Sequence, residues 1–372
     1  MSVNVPPVSA GEALDTLLAG WQAQAAGGLT ASWMLHGRPG VGKTQVVQQL
    51  AERIGARLFD LRLTTIEPQD LRGLPYYDHD RKRTVWYRPE DLPDTEGAPA
   101  ILFLDELTAA SPYLQPTVYG LLQERRVGRH VLPDSVFVVA AGNGVEDGAV
   151  AHDLGTALSD RLIHLLVRTD AQDWLARFAV RRGLHPAVTA FIRGRPDLLD
   201  TTEDALRRGD TIACTPRSWE RVSDITRAVP DRRLRNAMVA GSVGQAAAAE
   251  YAVVADDVAA SLAVDDLLAA APRARWALYP ETLNGLNALV FALVASADAD
   301  RIGAVIETME GLRHLAARRP GEGFEALPLS ELAAFGFEIL IARAFEAGLE
   351  EAFLGSEAYA AYAADREAAG LA

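Results

Sequence analysis

The sequence predicts an α/β protein in which a parallel β-sheet is followed by an all-helical region. From residue 32 to about 168, short apolar runs alternate with helical segments, a pattern typical of a parallel sheet with helices on both faces. A glycine-rich loop separates the first apolar run from a helix-forming segment. After about residue 170 the strand-like runs stop, and helical patterns continue through the rest of the 372-residue chain.

The elements follow in order along the chain. The first is an amphipathic helix at 12–26, and a short buried strand follows at Ser32–His36. The next helix, Thr44–Ile54, has apolar residues at helical spacing. Further strands are predicted near 58–63, 101–104, 136–141 and 162–167, and a hairpin at 127–132. Later helical patterns cover 171–182, 186–193, 216–228, 231–269, 280–317 and 329–366.

Composition limits the classes of protein to consider. Hydrophobic residues make up 49% of the chain and charged residues 23%, an ordinary globular balance. A net charge of -14 makes nucleic acid an unlikely partner, because the surface repels phosphate on average. The single cysteine, Cys214, suits a reducing cytoplasm. We expect a cytoplasmic location, because the chain starts without a signal peptide and its longest apolar run, Leu286–Ala295, is too short to span a bilayer.

The loop GRPGVGKT at 37–44 is a candidate phosphate site, because it joins a strand to a helix N-terminus. Glycines let the backbone N–H groups wrap closely around a polyphosphate, while a lysine reaches the β- and γ-phosphates and a threonine hydroxyl binds Mg²⁺. The alternative is a glycine turn with a surface lysine. We predict ATP and Mg²⁺ as cofactors, held by Gly37, Arg38, Pro39, Gly40, Val41, Gly42, Lys43 and Thr44.

Two further strand ends carry polar residues suited to nucleotide chemistry. The run Ile101–Leu104 ends in Asp105 and Glu106, a Walker B arrangement in which we assign Asp105 to Mg²⁺ and Glu106 to the catalytic base. Considered alone, two carboxylates after a strand indicate only that the strand ends at the solvent-exposed surface. The run Phe137–Ala141 leads to Asn143, which would face the γ-phosphate if this strand lay between the other two. Its alternative is an ordinary Asn-Gly turn.

These motifs together resemble the AAA+ ATPases and, within them, the MoxR group. The resemblance rests on GRPGVGKT, on Ile101–Glu106 with the LTAASPYLQPTVYGLLQERRVG that follows, and on VVAAGN with ALSDRL at 157–162. It covers about residues 6–230. It implies an AAA+ core at 1–168 and a small helical lid at 169–230. The helical pattern predicts an additional alanine-rich region at 231–372, which the resemblance does not reach.

The resemblance also implies a ring, usually hexameric, with ATP bound between neighbouring subunits. In that ring Asn143 would be sensor 1, Arg161 an arginine finger that acts on the next subunit's nucleotide, and Arg217 the sensor 2 residue of the lid. Thr215 would cap the lid helix and Pro216 would begin it. For Arg161 and Arg217, the alternative is a solvent-exposed arginine. The group also carries an inserted hairpin, which the resemblance places at about 74–92 in this sequence. It usually faces the central pore, where its aromatic residues would grip a polypeptide, although cross-strand packing explains them equally well.

The function implied is ATP hydrolysis at subunit interfaces to remodel or activate a partner protein, by chaperone-like action, by inserting a cofactor or metal, or by assembling a complex. Proteins bearing a von Willebrand A domain are the implied partners. Two rival functions stay open. One is a nucleotide-gated scaffold with slow turnover. The other is a DNA-acting motor, for which Arg81, Lys82 and Arg83 are the compact basic candidate.

Overall fold

The computed structural model describes residues 3–94, 97–144 and 159–368. The chain divides into two compact units, Met1–Asp170 and Ala171–Ala372. The first unit has ten described strands: β1 (Pro7–Val8), β2 (Ser32–His36), β3 (Arg57–Arg62), β4 (Pro75–Asp78), β5 (Arg83–Trp86), β6 (Ala100–Asp105), β7 (Arg126–Val127), β8 (His130–Val131), β9 (Val136–Gly142) and β10 (Leu162–Val167). Its described α-helices are α1 (Ala10–Ala25), α2 (Lys43–Ile54), α3 (Pro68–Arg72) and α4 (Gln115–Glu124).

Six of these strands form one parallel sheet in the order β1-β10-β2-β9-β6-β3. Strand β9 therefore lies between β2 and β6, the position on which the role of Asn143 depended. His36 at the end of β2 pairs with Gly142, and Leu104 near the end of β6 pairs with Ala140. Because all three strands run in the same direction, the segments that follow them emerge at the same edge of the sheet.

Helices cover both faces of the sheet, as the alternating pattern predicted. Along β2, Met34 belongs to a core that includes α4, whereas Trp33 and Leu35 belong to a core that includes α1 and α2. Strands β6 and β9 are buried along their whole length. Burial on both faces explains why these strands are nearly continuous apolar runs instead of alternating apolar and polar residues.

Two small antiparallel hairpins stand apart from the main sheet. Strands β4 and β5 form the first, and β7 and β8 form the second. His130 lies 3.1 Å from the carbonyl oxygen of Arg72, and the Arg88 guanidinium donates to the carbonyl of Val131 at 3.3 Å, so the second hairpin contacts the segments that flank the first. The five-residue helix α3 precedes the first hairpin.

The second unit is helical, and no strand occurs among its described residues 171–368. Its longer helices are Pro186–Gly194, Thr202–Arg208, Pro216–Ala228, Arg232–Val243, Gln245–Ser261, Leu283–Ala295, Ile302–Gly311, Leu329–Ala347 and Glu357–Ala368. The predicted helix at 171–182 is present, with a π-helical stretch at Trp174–Ala179. None of the helices in the described parts of the chain has both the length and the hydropathy needed to cross a membrane.

A single apolar core runs through the second unit from Trp174 to Tyr362. Residues on both sides of position 230 contribute to it, including Trp219 and Tyr251, whose ring centroids are 5.8 Å apart. The division into a lid at 169–230 and a further region from 231 stays a prediction.

The helix Pro216–Ala228 has the start that its sequence predicted. The Thr215 hydroxyl accepts a hydrogen bond from the backbone N–H of Ser218 at 3.1 Å, and the Ser218 hydroxyl accepts one from the N–H of Thr215 at 2.8 Å. Pro216 occupies the first turn, where a missing N–H costs nothing. This reciprocal pair fixes the first turn of the helix that carries Arg217.

We predict that Thr215→Ala lowers the stability of the second unit by about 1 kcal/mol, because an N–H in the first helical turn loses its acceptor. The measurement is the denaturant midpoint followed by tryptophan fluorescence, to which the fully buried Trp219 contributes. Thr215→Ser keeps the hydroxyl and is the matched control. Equal midpoints for the alanine and serine variants would contradict a stabilising role for this cap.

Candidate nucleotide-binding site

The GRPGVGKT loop at 37–44, called the P-loop below, connects β2 to α2, and its backbone takes conformations that favour glycine. Gly37, Gly40 and Gly42 have φ angles of 153°, 86° and 103°. A Cβ atom at Gly37 would lie 2.5 Å from the carbonyl oxygen of Val167, so a side chain at this position would displace the neighbouring strand. Val41 is buried in the core that includes α1 and α2 and anchors the middle of the loop. The loop is therefore held in a tight turn at the start of α2, as a phosphate cradle requires.

Lys43 is the first residue of α2, and its side chain is buried. Its ammonium donates to the carbonyl oxygens of Gly37 and Arg38, the latter at 2.9 Å, and to the Asn143 side-chain oxygen at 2.9 Å. The positive charge thus lies inside the loop, next to the end of β9. Gly42 caps the start of α2 and has no side chain that could accept a hydrogen bond. An anion bound there can therefore accept hydrogen bonds from the first backbone N–H groups of the helix.

Thr44 and Asp105 lie beside each other at the same edge, and the Thr44 hydroxyl donates to the Asp105 carboxylate at 3.3 Å. These are hard oxygen donors, which Mg²⁺ prefers. Across the described residues, no three acidic, histidine or cysteine side chains gather into a metal site. One hydroxyl and one carboxylate suit a magnesium ion that takes its remaining ligands from phosphate and water, so the residues fit Mg²⁺ bound together with a nucleotide.

Glu106 follows β6 in a left-handed conformation, with φ of 59°, which is uncommon for a residue with a side chain. Its backbone N–H donates to the Asp105 carboxylate at 2.9 Å. The Glu106 carboxylate accepts a hydrogen bond from the Thr64 hydroxyl and lies 3.7 Å from the Arg62 guanidinium. Both neighbours come from the end of β3, where Arg62 pairs with Asp105. Neither Thr64 nor Arg62 was predicted from the sequence, although the adjacency of β3 and β6 could have pointed to them.

Asn143 is positioned by a residue that the sequence analysis also missed. Its backbone N–H donates to the Thr108 hydroxyl at 3.0 Å, and Thr108 is buried in the short turn after Glu106. Gly142 allows this approach, since a Cβ there would lie 2.6 Å from the Thr108 methyl carbon and 2.9 Å from the Met34 terminal methyl. A direct hydrogen bond therefore links the segment after β6 to the segment after β9.

The contacts described above do not include two of the predicted site residues. Arg161 is exposed and comes directly before β10, whose first residue pairs with Ser32 at the start of β2. Arg217 belongs to the second unit, where it is exposed in the first turn of its helix. Their assigned roles stay predictions. Of the ALSDRL motif, residues 157 and 158 lie outside the described residues.

A histidine pair lies directly beneath the loop. His36, the last residue of β2, is 2.7 Å from His164 between Nε2 and Nδ1, and the other ring nitrogen of His164 is 2.8 Å from the carbonyl oxygen of Ser159. Burial lowers the pKa of His36 to about 4, with smaller contributions from His164 and Lys43. His36 is therefore neutral at physiological pH.

Residues 32–162 match the model of the AAA domain family, dynein-related subfamily. Over 118 residues, 30% of this chain, the sequence is 32% identical to the uncharacterized protein YeaC of Bacillus subtilis. Over 102 residues it is 33% identical to the mouse ATPase family gene 2 protein homolog B. The matched segments span only 35% and 11% of those relatives.

Among solved structures, the chain is similar to the RuvB Holliday junction branch migration motor of Thermotoga maritima. The alignment has 14% identity and a TM-score of 0.36, and it covers 90% of this chain and 86% of that one. The family match supports an AAA domain at residues 32–162, and the GRPGVGKT loop lies within that segment.

We predict that Thr108→Val reduces ATP hydrolysis by roughly tenfold, because the loss of one positioning hydrogen bond to Asn143 costs about 1 kcal/mol or somewhat more. ATP affinity should stay close to that of the wild type, since Lys43 and the glycine loop are unchanged. Thr108→Ser keeps the hydroxyl and should retain most of the activity. Steady-state phosphate release and nucleotide titration are the measurements. Full activity in the valine variant would contradict the positioning role.

The lowered pKa of His36 predicts that the first unit loses stability as the pH falls from about 6.5 toward 4. In that window the unfolded chain binds a proton at this histidine while the folded chain does not, so protonation favours unfolding. Thermal melts at pH 7 and pH 5 should differ more for the wild type than for His36→Gln, which has no titrating ring. Equal losses in the two proteins would contradict this linkage.

Proposed function

We propose that this protein is a MoxR-like AAA+ ATPase that hydrolyses ATP at the interfaces between its subunits and uses the resulting movement to remodel or activate a partner protein. The observation that carries the proposal is the 2.9 Å hydrogen bond from the Lys43 ammonium to the Asn143 side chain. It joins the phosphate-binding loop to the polar end of β9. The match of residues 32–162 to the AAA domain family supports the same proposal.

Separate residues of the site would bind phosphate, bind Mg²⁺, orient the attacking water and accept its proton. Lys43 places a positive charge where the β- and γ-phosphates of ATP lie in a P-loop, and Thr44 and Asp105 hold the Mg²⁺, which when bound neutralises the charge that develops on phosphate. Asn143 orients the attacking water and Glu106 accepts its proton. Because the Glu106 carboxylate accepts the Thr64 hydroxyl, it exchanges that partner for water before it acts as a base.

The position of Arg161 supports its action on a neighbouring subunit. The P-loop follows His36 at the carboxyl end of β2, whereas Arg161 precedes Leu162, which pairs with Ser32 at the amino end. Ser32 and His36 are four residue steps apart along the strand, a distance of roughly 13 Å. An arginine at the opposite edge of the sheet is poorly placed to serve the P-loop of its own subunit. This supports a ring, which we propose to be hexameric.

Partner recognition belongs to other surfaces. On the first hairpin the rings of Tyr76 and Tyr87 lie 5.5 Å apart, yet Tyr76, Tyr77 and Tyr87 remain 49%, 66% and 64% exposed. That exposure favours a role in gripping a polypeptide. The partner we propose is a cytoplasmic protein bearing a von Willebrand A domain, as in the MoxR group. Arg217 would act as a cation that reaches phosphate when the lid closes.

The two rival functions make different demands on the same residues. A slow nucleotide-gated scaffold would not need the Glu106 contacts with Thr64 and Arg62. A DNA-acting motor would need the basic hairpin turn. Arg81 and Arg83, however, lie 3.9 and 3.8 Å from the Asp78 carboxylate, which reduces the net positive charge of the turn. DNA binding at moderate salt would favour the motor.

We predict that Glu106→Gln binds ATP but hydrolyses it more slowly by a factor on the order of 10² to 10⁴, because the amide cannot accept the proton. Nucleotide titration and phosphate release measure the two effects. The same variant, loaded with ATP, should retain its partner protein longest. Hydrolysis near the wild-type rate would assign the base to another residue.

We predict that Arg161→Ala binds ATP normally but hydrolyses it roughly 10³-fold more slowly, and that mixing it with Lys43→Ala restores part of the activity. Lys43→Ala subunits do not bind ATP but still offer Arg161 to an Arg161→Ala neighbour. Phosphate release from rings of exchanged subunits is the measurement. An inactive mixture, despite demonstrated subunit exchange, would contradict action between subunits.

A further inference from the structure

The histidine pair connects two segments that the proposed reaction uses. His36 lies directly before Gly37, whose carbonyl accepts the Lys43 ammonium. His164 lies in the adjacent strand β10, with its ring centroid 5.0 Å from that of His36 and the ring planes 20° apart. Through its second ring nitrogen His164 reaches the carbonyl of Ser159, two residues before Arg161. A side-chain path therefore runs from the base of the P-loop to the turn that carries Arg161.

The partners fix which atoms carry protons when both rings are neutral. The Ser159 carbonyl can only accept a hydrogen bond, so the proton of His164 lies on Nε2. Its Nδ1 is then an acceptor, and His36 donates to it from Nε2. Each ring thus makes a defined, directional contact. The link is specific to imidazole geometry, because His164 must donate at one nitrogen and accept at the other.

We propose that His164 is a positioning residue for Arg161, and that the His36–His164 pair couples the P-loop of one subunit to the arginine that this subunit offers to its neighbour. This inference rests on the proposed function of Arg161. Arg161 is exposed in the turn that leads into β10. The Ser159 contact ties that turn to the sheet, and the His36 contact ties it to the residue that begins the P-loop.

The nearby charges are compatible with such a coupling. His36 responds to the charge of Lys43 as well as to His164 and to its own burial. Phosphate bound at the loop would offset the charge of Lys43, so the environment of His36 changes with the nucleotide. His164 transmits any resulting shift of His36 to Ser159 and hence to the segment that leads to Arg161.

Two amide variants of His164 break the path at different links. His164→Asn leaves a polar atom near the Nδ1 position that can accept from His36 but does not reach the Ser159 carbonyl. His164→Gln places its amide near the Nε2 position, where it can donate to Ser159 but leaves His36 without its acceptor. Both variants should bind ATP within about twofold of the wild type and hydrolyse it roughly tenfold more slowly, because Arg161 is less well oriented.

Two controls accompany these variants. His36→Gln keeps a donor near the Nε2 position and should retain more activity than His36→Leu, which removes it. His314→Leu removes a half-exposed histidine of the second unit and should not change hydrolysis. Thermal melts establish that each protein is folded.

Mixed rings separate a defect of the offered arginine from a defect of the P-loop. If His164 acts through Arg161, His164→Asn subunits gain activity when mixed with Lys43→Ala subunits, which supply a well-placed arginine. They gain none with Arg161→Ala subunits. If the variant instead damages its own P-loop, the result reverses: the Arg161→Ala mixture gains and the Lys43→Ala mixture does not.

The Lys43→Ala and Arg161→Ala mixture is the reference. Should that reference fail, the proposed action of Arg161 between subunits is itself wrong. If the reference succeeds and His164→Asn follows the reversed pattern, or if His164→Asn and His164→Gln both hydrolyse ATP at the wild-type rate, the positioning role is overturned.

Discussion

The candidate site depends on the parallel pairing of β2, β9 and β6. This order brings the ends of three strands to one edge of the sheet, where His36 pairs with Gly142 and Leu104 with Ala140. Lys43, after the loop that follows the first strand, then contacts Asn143 after the second, and Thr44 contacts the Asp105 carboxylate at the end of the third. If β9 lay elsewhere in the sheet, Lys43 and Asn143 would not be 2.9 Å apart, and no local feature of either loop would compensate.

Close packing at this edge restricts which residues the loops can contain. Gly37 and Gly142 face atoms that a Cβ would overlap, and Glu106 keeps a left-handed backbone although it has a side chain. Such conformations cost of order 1 kcal/mol or more and persist where surrounding contacts hold them. Here the Asp105 carboxylate accepts the Glu106 N–H, and Thr64 binds its side chain. The strain lies at the residue assigned to proton transfer.

The sequence predicted most of the first unit because its signals are local. Buried strands appear as apolar runs, and the P-loop has a distinctive spacing. Thr64 and Thr108 escaped prediction, because a threonine becomes part of a site only through the strands that surround it. The His36–His164 pair escaped for the same reason, since 128 residues separate its members in sequence. In the second unit, helix periodicity located the helices but could not show that Trp219 and Tyr251 share one core.

A crystal structure of Glu106→Gln with ATP and Mg²⁺ would test the assigned nucleotide site most directly. We expect the Lys43 ammonium to contact the β- and γ-phosphates. We expect Mg²⁺ to be bound by the Thr44 hydroxyl and by Asp105, directly or through water. The Asn143 side chain should face the γ-phosphate. A nucleotide bound elsewhere, or a γ-phosphate beyond the reach of both Lys43 and Asn143, would contradict this assignment.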